Sequence, residues 1–245
     1  METLKCKEIV KAVDGKLVSG SLEAEFSNIT TDSRTVKNGD FFVPLVGEKF
    51  DGHDYICSSF EKGLGGCITH RDISGVDGKV IIKVEDTLVA LRKLATYYRQ
   101  KFDIPFVGIT GSVGKTSTKD MVYSVLSQKY NVLKTQGNFN NEIGVPLTVF
   151  NLESSHEAAV VEMGMSGLGE ISRLTSIVKP DIAIITNIGL SHIEKLGSRQ
   201  NILKAKMEIL EGLKDKGLVI LNGDDNLLYG LKDFLKHRTV FYGME

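Results

Sequence analysis

Cysteine is scarce: Cys6, Cys57 and Cys67 are the only three in 245 residues, they lie far apart, and no CxxC pair occurs. That spacing excludes a zinc knuckle, a CxxC redox motif and a disulfide scaffold, and it fits a reducing cytoplasm. An excess of one charge is missing too. The 30 Lys and Arg stand against 31 Asp and Glu, for a formal charge of -1. No global field therefore gathers nucleic acid or an anionic membrane, and any phosphate binding must be local. No apolar run approaches the roughly 18 residues of a membrane span. The opening METLKCKEIVKAV carries charges every few residues in place of a signal-peptide core. The expectation is a soluble, cytoplasmic protein with no nucleic-acid partner and no membrane insertion. Proline is rare at 4, whereas 25 glycines punctuate short apolar runs, as α/β folds require. With 42% apolar and 25% charged residues, the chain can bury a core, which excludes wholesale disorder and accommodates one large or two ordinary domains.

Residues 1–103 read as a small mixed α/β domain of short elements. Ile9 and Val13 share a helical face. A strand is expected over Asp40–Val46, then a helix over Tyr55–Lys62, a strand at Gly66–Thr69 and another at Val80–Val84. Asp86 or Thr87 can cap a longer helix whose Leu88, Leu91, Leu94, Ala95 and Tyr98 share a face. From residue 104 the rhythm changes. The apolar runs PFVGIT, NVLKT, EAAVVEM, DIAIITNI and GLVILN alternate with helical patterns, the mark of a mainly parallel sheet covered by helices on both faces. Residues 104–245 thus read as a second domain, whose ligands should gather at the carboxyl ends of the strands.

The first of those strands runs into Gly108-Ile109-Thr110-Gly111-Ser112-Val113-Gly114-Lys115-Thr116-Ser117, after which Thr118, Met121, Val122, Val125 and Leu126 fall on one helical face. Strand, glycine loop and helix are what a phosphate loop (P-loop) needs: converging amides, a helix N-terminus, a lysine for the β/γ-phosphates and a hydroxyl for Mg2+. Lys115 and Thr116 supply the last two. The spacing departs from GxxxxGK[ST], because Ile109 stands five residues before Gly114.

Two further strand ends carry candidate ligands. Glu162 ends EAAVVEM and His192 follows DIAIITNI. Both are suitable for a divalent ion that also touches a nucleotide, although a capping or solvated carboxylate and an idle loop histidine are the plainer alternatives. Between 201 and 213, Ile202, Ile209, Leu210 and Leu213 form an apolar stripe with Lys206 at its middle and Lys204 and Glu211 opposite. An inward ammonium must snorkel, pair, lose its proton, or be modified, for example by CO2 to a carbamate. Asn222 ends GLVILN before Asp224 and Asp225. An amide there can read a base edge, and a turn with an Asp helix cap is equally natural.

These residues resemble the Mur ligase family. ITGSVGKTS resembles that family's own phosphate loop, unusual spacing included, and TDSRTVKNGDFFVPLVGEKFDGHDYI resembles its uridine-side domain. Within the family, TQGNFNNEIGVPLTVFNL, VVEMGMSGLGEI and TNIGLSHIEKLGS resemble the MurF branch. The resemblance implies an ADP-forming, ATP-dependent ligase of peptidoglycan precursor synthesis, joining D-alanyl-D-alanine to UDP-N-acetylmuramoyl-tripeptide through an acyl phosphate. It implies a UDP-muramoyl-peptide-binding domain over 1–103 and an ATP-binding domain over 104–245, incomplete at Glu245 and lacking the family's C-terminal domain. It further implies that Gly111, Ser112, Gly114, Lys115, Thr116, Ser117 and Asn222 bind ATP. Thr116, Glu162, His192 and Lys206 would hold two Mg2+ ions, with Lys206 as a carbamate. Lys115, Lys206 and His192 would be catalytic, Asn138 and Asn141 would face the muramoyl peptide, and Ser33 and Arg34 the UDP, in a monomer. A MurE-like or folylpolyglutamate-synthase-like ligase, or a nucleotide or UDP-sugar binding module without turnover, are the rival expectations.

Overall fold

The computed structural model describes residues 1–74, 76 and 78–244, and the chain divides into two compact units. The first comprises Met1–Gln100 with the short strip Phe150–Glu153, and the second Lys101–Val149 with Ser154–Glu245.

In the first unit a five-stranded sheet runs in the order Lys16–Ser19, Val80–Lys83, Gly66–Thr69, Phe41–Phe42, Ile29–Thr30. Its first pair is antiparallel and the rest are parallel. Phe42, Cys67 and Ile81 from three of these strands pack on Ile56, Phe60 and Leu64. The strand expected over Asp40–Val46 contracts to Phe41–Phe42. Asp40 is spent on a turn, accepting from the Asn28 amide and the Lys37 N–H, and Pro44 has no N–H for a ladder. The next helix is Ile56–Glu61, entered through a 3-10 turn at Gly52–Tyr55 that Asp51 caps. Asp86 caps Thr87–Arg99, accepting from the Leu88 and Val89 N–H groups, and Leu91, Leu94, Ala95 and Tyr98 are buried on one face.

The second unit is built on a six-stranded, wholly parallel sheet in the order Arg238–Tyr242, Leu218–Asn222, Ile182–Ile185, Phe106–Thr110, Ala158–Glu162, Val132–Lys134. The edge strand Arg238–Tyr242 alternates exposed and half-buried residues and carries no apolar run for a sequence reading to find. Phe106–Thr110 comes first in the unit's sequence yet lies between the later strands Ala158–Glu162 and Ile182–Ile185. The chain leaves it toward Val132–Lys134 on one side and later crosses from Ala158–Glu162 to Ile182–Ile185 on the other, and such a reversal opens a crevice at the strands' carboxyl ends.

Helix Lys115–Leu126 sits on this sheet through a different face from the one its sequence pattern predicts. Lys119 is buried, and Val122, Tyr123 and Leu126 pack against Val107, Val132 and Val160, while Met121 and Val125 stand 70% and 72% exposed. The i, i+3, i+4, i+7 stripe is rotated by about a third of a turn because the loop ahead fixes the helix's first residue. Arg199–Met207 is a helix that tightens to 3-10 geometry over Glu208–Gly212, with Ile202, Lys206, Ile209 and Leu213 buried on its inner side. Among the described residues no helix is long and apolar enough to cross a membrane.

Candidate functional site

The loop after Phe106–Thr110 turns on two glycines whose backbone conformations L side chains rarely adopt. Gly111 has φ 151°, and a Cβ there would overlap Thr186 Oγ1. Gly114 has φ 79° and enters helix Lys115–Leu126 in the left-handed region. Among the described residues the N–H groups of Gly114, Lys115, Thr116 and Ser117 have no acceptor, so they are open donors at the positive end of a helix. Lys115 Nζ bends back onto the Gly111 carbonyl at 2.9 Å and the Ser112 carbonyl at 3.4 Å. Burial pushes its pKa down, and the Glu162 carboxylate opposes that.

Glu162 ends the neighbouring strand and is 2% exposed. Its Oε2 accepts from the Thr116 hydroxyl at 3.0 Å, its Oε1 from the Asn140 amide at 2.7 Å, and its own N–H donates to Thr135 Oγ1 at 3.0 Å. A hydroxyl and a carboxamide on the two oxygens of one carboxylate form an oxygen-rich set that suits a hard dication.

A cavity of about 260 Å3 opens here, lined by Gly111, Lys115, Asn140, Asn141, His192 and Lys206, with Gly164–Ser166 and Glu170 completing its wall. His192 is held at φ 65° as the residue preceding helix Ile193–Leu196. A left-handed non-glycine residue is uncommon, and this one lines the cavity. Lys206 is 2% exposed, and among the described residues no hydrogen bond or ion pair engages its amine. Burial, with the Lys115 cation adding to it, brings its pKa to about 7. A substantial neutral fraction near neutrality makes it a nucleophile toward CO2. Among the described residues no three His, Cys, Asp or Glu side chains cluster tightly enough to hold a metal ion.

The structure thus gathers Gly111, Lys115, Thr116, Glu162, His192, Lys206 and Asn141 in one place. Ser112 and Ser117 flank them in the loop and the helix's first turn. Asn141 lines the cavity, and its Oδ1 is taken by the Ile143 and Gly144 N–H groups. Asn138 is exposed and does not line the cavity. Asn222 is the last residue of strand Leu218–Asn222 and accepts from the Asp224 N–H, while Asp225 caps Asn226–Tyr229. Sequence reasoning passed over Asn140 and Asn187. The run of asparagines in NFNN and the polar TN that ends an apolar strand are the signals that could have found them.

The first unit has a cavity of its own, of about 540 Å3, where Ser33, Arg34, Phe42, Phe50, Tyr55 and Lys62 meet. Arg34 grips Asp32 through Nε at 2.8 Å and Nη2 at 2.7 Å, which holds the Asp32 carboxyl down at about 2.

Residues 109–245 match the family model described as the Mur ligase middle domain, and residues 25–99 the one described as the Mur ligase family, catalytic domain. The UDP-N-acetylmuramoyl-tripeptide--D-alanyl-D-alanine ligase of Bacillus subtilis (strain 168) is 45% identical over 224 residues, spanning 91% of this chain and 49% of that protein. Among solved structures, MurF from Acinetobacter baumannii superposes with a TM-score of 0.93 at 33% identity, covering 99% of this chain and 54% of its own. The MurF ligase of Thermotoga maritima in complex with ADP gives 0.82 at 36% identity, covering 89% and 50%. The chain spans about half the length of the curated relatives it matches.

Proposed function

Because this chain belongs to the Mur ligase family, we propose that its second unit binds ATP and that it serves a MurF-type reaction, joining D-alanyl-D-alanine to UDP-N-acetylmuramoyl-tripeptide. The observation that carries this reading is the Thr116–Glu162–Asn140 hydrogen-bond chain at the mouth of the glycine loop, in one cavity with Lys115, His192 and Lys206.

The open amides of Gly114 to Ser117 take the phosphate oxygens, and Lys115 leaves its backbone carbonyls to follow the β/γ-phosphates. Thr116 and Glu162 would hold a divalent ion, with His192 and a Lys206 carbamate as further ligands. When bound, Mg2+ would lessen the repulsion between two polyanionic substrates. In the carbamate step the neutral Lys206 amine adds to CO2, forming an N–C bond and releasing one proton. Asn141 offers its NH2 to the muramoyl peptide, with Asn138 further out on the same loop, and Asn222 offers an amide donor to the adenine. Ser33 and Arg34 serve the UDP end from the cavity of the first unit.

The chemistry is phosphoryl transfer followed by acyl transfer. A carboxylate oxygen of the tripeptide attacks the γ-phosphorus as the bond to ADP breaks. The neutral amine of the dipeptide then attacks the acyl carbon, phosphate leaves, and the amine sheds its proton. Calorimetry with ATP and Mg2+, followed by an ADP assay with and without both substrates, tests the reading. ADP release that needs both substrates supports a ligase. Uptake without turnover reduces the chain to a nucleotide-binding module, and absence of uptake overturns the reading.

A further inference from the structure

The segment that follows strand Ile182–Ile185 wraps the first half of the glycine loop. Asn187 Oδ1 accepts the N–H groups of Ser112 at 3.1 Å and Val113 at 3.0 Å, and the Asn187 carbonyl shares the Ser112 N–H at 3.1 Å. Beside it, the Thr186 hydroxyl donates to the Val113 carbonyl at 2.6 Å, and the Gly189 N–H donates to Ser112 Oγ at 2.8 Å.

A trans peptide is planar, so its C=O and N–H point in opposite directions. The Ser112 N–H belongs to the same peptide as the Gly111 carbonyl, and the Val113 N–H to the same peptide as the Ser112 carbonyl. By holding both N–H groups on one side, Asn187 aims both carbonyls to the other. Those are the two carbonyls on which Lys115 Nζ rests, at 2.9 and 3.4 Å. Two rigid peptides thus connect a carboxamide to an ammonium it never touches. The same hold divides the loop's donors: Ser112 and Val113 face Asn187, while Gly114 to Ser117 stay open.

We propose that Asn187 is a positioning residue for Lys115 and the triphosphate, setting the orientation of the Gly111–Ser112 and Ser112–Val113 peptides so that the lysine is parked beside the open amides. The inference rests on the reading of this loop as a triphosphate cradle. Loss of the Asn187 carboxamide leaves the Ser112 N–H on the residue's own carbonyl but frees the Ser112–Val113 peptide to flip, which loosens the lysine's seat on the Ser112 carbonyl and turns an extra donor inward at the wrong radius. The end of the phosphate chain feels this, and a ligand without β- and γ-phosphates does not.

The test compares Asn187→Ala and Asn187→Asp with the unaltered chain. ATP and AMP are titrated with Mg2+ by calorimetry, and amide hydrogen exchange is followed at Val113, whose N–H has Asn187 Oδ1 as its acceptor. Asn187→Ala is expected to weaken ATP by about tenfold, the loss of two hydrogen bonds' orientation, with AMP unchanged. Val113 should exchange fast while strand Phe106–Thr110 stays protected. Asn187→Asp keeps the acceptor oxygen and is expected to keep Val113 slow. ATP binding in Asn187→Ala equal to that of the unaltered chain, or an equal loss of ATP and AMP, overturns the proposal. Should the alanine variant not fold, fast Val113 exchange in the aspartate variant overturns it instead. An unaltered chain that binds ATP no better than AMP removes the triphosphate reading itself, a result distinct from the others.

Discussion

The Thr116 hydroxyl donates to Glu162 Oε2 across 3.0 Å although 46 residues separate the two in sequence. Parallel pairing of Ala158–Glu162 with Phe106–Thr110, with Glu162 opposite Ile109, brings the end of the first strand level with the loop and helix start that follow the second. A carboxylate held by a hydroxyl and an amide has its shape fixed in advance, so what it would add to the proposed cation site is charge. Glu162→Gln keeps the outline and loses the charge. The Mg2+-dependent part of ATP affinity is expected to fall by about tenfold or more, with a melting temperature within a few degrees of the parent. Titrations with and without Mg2+ check this, and an unchanged metal dependence refutes the assignment.

Gly111→Ala is expected to cost about 2–4 kcal/mol of stability and to abolish nucleotide uptake. The new methyl group meets Thr186 Oγ1, and the backbone sits at φ 151°. Denaturant unfolding measures the first effect and calorimetry the second. Parental stability would show that the loop relaxes freely.

Lys206 titrates at about 7 because it is buried and faces the Lys115 cation. Its folded pKa lies below the unfolded value of 10.5, so the unfolded chain binds more protons between those limits. The cost of burying the amine is therefore full below about pH 7 and fades toward pH 10. Lys206→Met should gain on the order of 3 kcal/mol at pH 6, and the gain should shrink as pH rises. Capture of 13C-labelled bicarbonate, read as a carbamate NMR signal, should grow from pH 6 to pH 8.5 and vanish in the variant. A pH-independent stability difference contradicts the burial argument.

Asp32 carries the opposite sign. Arg34 lowers its carboxyl from 3.8 to about 2, so the pair contributes above pH 3.8 and is lost as pH falls through 2. Its side chain is 36% exposed, so solvent screens the pair and the contribution stays below about 1 kcal/mol. An NMR titration should place the Asp32 midpoint near 2 and return it toward 3.8 in Arg34→Ala, with little change in melting temperature. A midpoint that stays put in the variant would assign the shift to another group.

The parallel sheet and the glycine loop are legible in the sequence because each interior strand is a continuous apolar run ending in a polar residue, as in Val161-Glu162 and Ile185-Thr186. Lys206 is legible for the same reason: it interrupts a stripe whose period is fixed by helix geometry. The face of helix Lys115–Leu126 is not legible. Met121 and Val125 fit an apolar stripe as well as Tyr123 does, and the choice belongs to the loop that sets the first turn. Asn140 and Asn187 escape because a single asparagine has no period. Their roles arise only when Glu162 and the Ser112–Val113 peptides arrive from distant strands. The return of Phe150–Glu153 to the first unit is equally silent, since Tyr98 donates its hydroxyl to the Leu152 carbonyl and nothing local marks a backbone acceptor.

The Ser112 N–H finds its side-chain acceptor 75 positions later in the chain, and the strand before it is flanked by neighbours that are both translated afterwards. On the ribosome, the glycine turn emerges as an unbraced tether between a lone apolar segment and a free amphipathic coil. Nascent polypeptide of this kind exposes sticky edges for as long as synthesis takes to reach Asn187, which makes elongation speed, and any chaperone waiting at the exit tunnel, a determinant of how much correctly assembled product a cell obtains.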